Sequence, residues 1–214
     1  MKDTGLGFIH RFVSPNSNAK EAMPTLLLLH GTGGNEDDLI PLGKELAPNA
    51  SILSVRGKVL ENGMPRFFRR LEEGVFDMED LRIRTDELAE FIVKSSSAYK
   101  LDPERVIAVG YSNGANIAAS VLLRCPEVLA GAILFRAMVP FIPTVMPDLS
   151  KKSIILLEGL YDPIISKIEA QSLLELFTKT QSSVTLKWQN SGHNLTQEDI
   201  VAAKKWLESD SNLK

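Results

Sequence analysis

The sequence predicts an α/β fold: a mostly parallel, twisted sheet with helices on both faces. Three observations predict it. Short apolar runs rich in leucine, isoleucine and valine recur along the chain, each of a length suited to one buried strand. Stretches with helical periodicity separate them, and that alternation builds parallel strands. Loops with glycine, serine, aspartate or histidine follow several of the runs, at the sheet edge where such folds carry their sites.

Taken in order, residues 8–13 read as a short, half-polar strand at a sheet edge, and residues 15–21 as a polar loop. Thr25-Leu26-Leu27-Leu28-Leu29 is expected to be a central strand covered on both faces. His30-Gly31-Thr32-Gly33-Gly34 then turns tightly. Asn35 is placed to cap a helix running to about Ala47, with Glu36, Asp37 and Asp38 in its first turn. Residues 52–55 are the next strand. Residues 56–78 are the least regular stretch, and a loop of that length in a compact domain is usually functional or mobile. Leu81, Leu88, Phe91 and Ile92 fit one face of a long helix ending near Tyr99. Residues 101–104 turn into a strand at 106–109, and an alanine-rich buried helix follows from Ala115. Residues 129–135 form another strand. The stretch 136–147 holds Pro140, Pro143 and Pro147, which exclude a regular helix. Strands at 154–157 and 184–188 flank a helix over roughly 166–178. Thr196 and Asp199 make a capping-box-like start to the last helix, whose buried stripe is Ile200, Ala203 and Leu207.

Composition narrows the class. The 214 residues are 44% hydrophobic and 24% charged, as expected of one domain spanning 1–214. A net charge of −3 without a basic stripe argues against nucleic-acid binding. A single cysteine, Cys125, cannot form an intrachain disulfide; it reads as a buried thiol in a reducing, cytoplasmic setting. The N-terminus lacks the apolar core of a signal peptide, and no run is long and apolar enough to span a membrane.

The chemistry centres on Gly110-Tyr111-Ser112-Asn113-Gly114, a G-x-S-x-G motif between a strand and a helix. A serine that attacks a carbonyl must stand at the tip of a sharp turn, and side chains at Gly110 or Gly114 would collide with the chain passing beside it. The alternative is a tight turn whose serine merely caps the helix. Serine needs a base to become nucleophilic. Of three histidines, His10 lies in the first, peripheral strand and His30 precedes the glycine loop. His193, in the Ser191-Gly192-His193 loop, is the candidate base. Asp162 is the favoured carboxylate partner, over Glu158, which abuts a strand, and Asp148, farther from any strand end; otherwise Asp162 is a turn residue before Pro163. The order Ser112, Asp162, His193 is that of α/β hydrolases. Backbone N–H groups of Asn113 and Thr32 are the candidate oxyanion donors. Read instead as a phosphate turn, His30-Gly31-Thr32-Gly33-Gly34 lacks the P-loop lysine and the dinucleotide spacing.

Together, Leu29-His30-Gly31-Thr32-Gly33-Gly34, Gly110-Tyr111-Ser112-Asn113-Gly114-Ala115, Gly159 through Asp162-Pro163 and Gly192-His193-Asn194-Leu195 resemble the phospholipase/carboxylesterase family of α/β hydrolases, which includes bacterial carboxylesterases and acyl-protein thioesterases. The resemblance implies an α/β-hydrolase fold without a separate lid domain and a serine esterase without cofactor or metal, often dimeric. It carries the triad onto Ser112, Asp162 and His193, and the oxyanion donors onto Thr32 and Asn113. Thr32 stands where the family often has leucine, and Asn113 where it often has glutamine, which bears on acyl preference. The Pro65-Arg66-Phe67-Phe68-Arg69-Arg70 stretch looks closer to the bacterial carboxylesterases than to the eukaryotic thioesterases.

The expected activity is hydrolysis of a small-to-medium acyl ester through an acyl-enzyme. Phe67 and Phe68 in the 56–78 loop and Met138 in the 136–147 loop are the candidate substrate contacts; the alternative is that both loops roof the core. Rival functions are a thioesterase or lysophospholipase on the same machinery, and a binding protein of this fold without turnover.

Overall fold

The computed structural model describes residues 5–15 and 23–209. Most of the polar loop expected at 15–21 lies outside these residues. A seven-stranded sheet organises the rest. Its strands are β1 (His10–Val13), β2 (Thr25–Leu29), β3 (Ser51–Val55), β8 (Val106–Tyr111), β9 (Gly131–Phe135), β10 (Ser153–Gly159) and β11 (Ser183–Gln189). They lie side by side in the order β1-β3-β2-β8-β9-β10-β11. Only β1 runs antiparallel, against β3; the remaining pairs are parallel.

The apolar runs explain the two-sided core. Side chains alternate faces along a strand, so a run of leucines serves both. Leu27 and Leu29 of β2 face a cluster with α2 (Met78–Tyr99), α3 (Asn113–Arg124) and α4 (Lys167–Lys179). Leu26 and Leu28 face a second cluster with α1 (Ile40–Leu46) and α5 (Gln197–Ser209). Each leucine so buried contributes roughly 1.5–3 kcal/mol of transfer free energy. Edge strand β11 instead alternates exposed and half-buried positions, as a strand with one wet face does.

Helix starts follow side-chain caps. Asp77 accepts from the Asp80 N–H and caps α2; Ser166 accepts from the Glu169 N–H and caps α4. Asp199 of α5 accepts from the Thr196 N–H, closing the expected capping box. The first helix differs from expectation. It begins only at Ile40, and Asn35 closes an Asx turn on the Asp37 N–H instead. Glu36 is buried against Arg56 rather than set in a helical first turn. Salt-bridging and the Asn35 turn outcompete helical propensity there.

The stretch 56–78 is more regular than its composition implies. It holds two small hairpins, β4 (Val59–Glu61) with β5 (Met64–Arg66), and β6 (Arg70–Glu72) with β7 (Val75–Phe76). The stretch 136–147 has no helix, as its prolines require. Side chains hold its first amides instead: Glu158 accepts from Ala137, Asn116 from Met138 and Glu169 from Val139, at 2.8–2.9 Å. Irregular backbone is ordered there because its donors are satisfied. Cys125 is half-buried, and burial pushes its thiol pKa up. No helix among the described residues is long and apolar enough to cross a membrane.

Candidate active site

Parallel strands deliver their C-terminal ends to one edge, and the loops singled out in the sequence meet there. Ser112 follows β8 at φ 52°, ψ −114°, a conformation costing a non-glycine residue roughly 1–3 kcal/mol. Neighbouring contacts enforce it. The Ser112 N–H donates to the Phe135 carbonyl at 2.9 Å. A Cβ on Gly110 would lie 2.6 Å from Ala115 Cα, so only glycine lets α3 turn back on β8 so closely. The Ser112 side chain makes no cap bond to its helix. Its Oγ lies 3.0 Å from His193 Nε2. The strained turn thus presents the hydroxyl to the imidazole rather than to the helix it precedes.

His193 Nδ1 lies 2.8 Å from Asp162 Oδ2, with the aspartate side chain fully buried. A carboxylate accepts, so the imidazole proton sits on Nδ1 and Nε2 is left to accept from Ser112. Asp162 Oδ1 also accepts from the Ile164 and Ile165 N–H groups at 2.8 and 3.1 Å. The turn role and the histidine-partner role therefore coexist on one side chain, each using one oxygen. The rival carboxylates are elsewhere. Asp148 is exposed and accepts from Ser150. Glu158 is buried and bonded to the Ala137 N–H, and burial raises its pKa well above the usual carboxyl value.

The other histidines are committed to structure. His10, in β1, bonds to Phe8 and Tyr99. His30 Nε2 is 3.0 Å from the Gly57 N–H, which can only donate; Nδ1–H must then donate to the Gly31 carbonyl at 2.6 Å. Nε2 can accept only in the neutral ring, and burial lowers the His30 pKa in the same direction.

Thr32 and Asn113 flank Ser112 along a cleft of about 230 Å³. Asn113 is the first residue of α3, so its N–H lacks an intrahelical acceptor. The glycine loop is tied down by the β5 hairpin: Gly33 donates to Pro65 at 2.9 Å, and Arg66 Nη1 donates to Thr32 Oγ1 at 2.7 Å. Sequence reasoning gave Arg66 no role. The available signal was an arginine set beside two phenylalanines, in a segment whose other arginines are free to face solvent or acidic partners. Arg66 is 3% exposed and paired with Glu61 at 3.1 Å, while burial lowers its pKa.

The apolar part of the cleft is Phe76, Met138 and Ile164, with Arg66, Arg70 and Glu73 also along its wall. Met138 is where it was expected. Phe67 and Phe68 are not: they are 3% and 0% exposed and belong to the core under α2. Each ring turns inward because Asn113 Oδ1 and Asp80 Oδ2 take the flanking Phe67 and Arg69 amides at 2.7 Å, pinning the segment on the helices.

Sheet order, elbow and the Ser-His-Asp hydrogen-bonded chain define an α/β hydrolase. The chain belongs to the phospholipase/carboxylesterase family, whose model matches residues 11–211. It is 50% identical over 181 residues to MhqD of Bacillus subtilis (strain 168), a protein described provisionally as a hydrolase; the match covers 85% of this chain and 90% of that one. The Bacillus cereus carboxylesterase crystal structure superposes with a TM-score of 0.90 at 48% identity over 94% of both chains. A carboxylesterase from Mesorhizobium loti gives a TM-score of 0.87 at 27% identity over 97% of both.

Proposed function

We propose that the protein is a serine carboxylester hydrolase for small-to-medium acyl esters. The carrying observation is the continuous Ser112–His193–Asp162 chain, at 3.0 and 2.8 Å, on a serine held in a left-handed turn. Ser112 Oγ attacks the acyl carbon while its proton passes to His193 Nε2. Asp162 holds the imidazole by Nδ1 and stabilises the imidazolium. Negative charge forming on the carbonyl oxygen falls to the Thr32 and Asn113 N–H groups. Collapse expels the alcohol, which takes the proton from His193. Water then attacks the acyl-serine by the same route, releasing the acid and restoring Ser112.

The apolar wall of Phe76, Met138 and Ile164 suits the acyl chain. The cleft volume of about 230 Å³ falls below the roughly 300–1,000 Å³ of pockets for drug-sized ligands, which supports a short or medium acyl group.

Ser112→Ala tests this reading. The folded variant is expected to lose p-nitrophenyl ester turnover and labelling by a fluorophosphonate. Wild-type turnover in that variant refutes it. A screen of oxygen esters, thioesters and lysophospholipids on the wild type then ranks the leaving groups.

A further inference from the structure

Arg136 is the largest fully buried side chain among the described residues and stands at φ 55°, a left-handed conformation, directly after β9. Both features are unfavourable by themselves. The turn strains a non-glycine backbone, and a buried guanidinium forfeits its hydration. Asp199, equally buried, meets it with both carboxylate oxygens, at 2.9 Å from Nη1 and 2.7 Å from Nη2. Nη1 also donates to the Leu157 carbonyl at 2.8 Å.

The remaining contacts all go one way. Nε donates to the Gly192 carbonyl, and Nη2 donates to Ser191 Oγ and the Asn194 carbonyl, each at 3.0 Å. These residues bracket His193. Two further bonds complete the grip: the Tyr161 N–H donates to the Ser191 carbonyl at 3.0 Å, and the Tyr111 hydroxyl to the His193 carbonyl at 3.2 Å. Oxygens of four successive residues, 191–194, are therefore held, and a single guanidinium holds three of them.

We propose that Arg136, anchored by Asp199, is a positioning residue that sets the place of the His193 ring between Asp162 and Ser112. The proposal rests on the triad reading above. His193 must satisfy two partners carried on two other loops, and its own loop, between β11 and α5, has no secondary structure. A buried ion pair contributes little net stability compared with well-packed apolar residues. What it does supply is a rigid fork of donors, and here the fork closes on the histidine loop. Asp199 does double service. Its Oδ2 also accepts from Thr196 at the start of α5, so the loop's far end is fixed to the same charge pair.

Arg136→Lys keeps the charge and removes the fork. Turnover is measured per fluorophosphonate-titrated site, so that misfolded protein does not count. We expect kcat and the labelling rate to fall about 10–100-fold, as for a catalytic group displaced by roughly 1 Å, while KM stays within about twofold. Ser191→Ala deletes one contact, leaves the ion pair in place and should lose kcat by a smaller factor. If Arg136→Lys does not fold, Ser191→Ala decides. Wild-type kcat per titrated site in the folded variants, with only a lower Tm, overturns the positioning role. Ser112→Ala is run beside them: turnover there defeats the triad reading itself, which is a separate outcome.

Discussion

Gly114 packs directly on Leu29: a Cβ added to the glycine would lie 2.0 Å from the Leu29 carbonyl oxygen and 2.6 Å from that of His30. The first turn of α3 is thus pressed onto the end of β2. That contact sets the Asn113 amide beside the glycine loop that carries Thr32. Two segments far apart in sequence meet along one cleft because one side chain is missing, and the oxyanion role proposed for Thr32 and Asn113 depends on that meeting.

Gly114→Ala should therefore destabilise the protein by more than about 3 kcal/mol, since backbone rather than a flexible side chain must yield. Gly192→Ala is the control. The nearest atom to its added Cβ is the Tyr161 carbonyl oxygen at 3.7 Å, an ordinary contact. Urea unfolding of the two variants should separate them clearly; similar midpoints would contradict the close packing.

Strain at Ser112 gives a second expectation. Ser112→Ala and Ser112→Gly both remove the hydroxyl, but only glycine relaxes the left-handed turn. The glycine variant should be the more stable of the two by about 1 kcal/mol after its larger unfolded-state entropy is counted. Thermal unfolding of the two variants measures the difference, and equal stability would mean the turn is unstrained.

Glu158 makes stability depend on pH. Burial raises its pKa in the folded state, so the folded protein holds a proton that the unfolded chain releases above about pH 4.3. Its contribution is fully present below the unfolded value and is lost as pH rises through the folded one. Glu158→Gln does not titrate. The stability of the variant relative to wild type should therefore grow between acid and neutral pH. A constant difference across that range would contradict a protonated Glu158.

Core and cleft residues should respond differently. Phe68→Ala removes a fully buried ring and should cost about 3–5 kcal/mol without changing the preferred acyl length. Met138→Ala, on the cleft wall, should instead shift that preference toward longer or bulkier acyl groups. Kinetics over a series of acyl lengths, paired with unfolding curves, tests both halves.

The legible parts of the sequence were those where local chemistry and global fold agree. Leucine runs in the centre of the sheet have one plausible environment, and G-x-S-x-G between a strand and a helix has few uses. Thr196 and Asp199 announced their capping box, but not that Asp199 would also bind Arg136, 63 residues away. Phe67 and Phe68 looked like an acyl wall because their loop hangs over the right edge. Burial is decided by which amides are captured, and Asn113 and Asp80 capture theirs. The hairpins at 59–76 were hidden because strands of two or three residues are too short to show a period.

By itself, the sequence determined the layering of the sheet, the sharp strand-to-helix turn at Ser112 and the residue types available at the C-terminal edge. These follow from periodicity of two or 3.6 residues and from turn chemistry, which act over a few neighbours. Only the tertiary structure decided which oxygen, nitrogen or ring faces which. Asp162 divides its two oxygens between a turn and His193, His30 takes one tautomer, and Arg136 closes on the histidine loop. Each arrangement joins groups tens of residues apart, and in a close-packed interior every buried donor must find an acceptor wherever the chain happens to bring one.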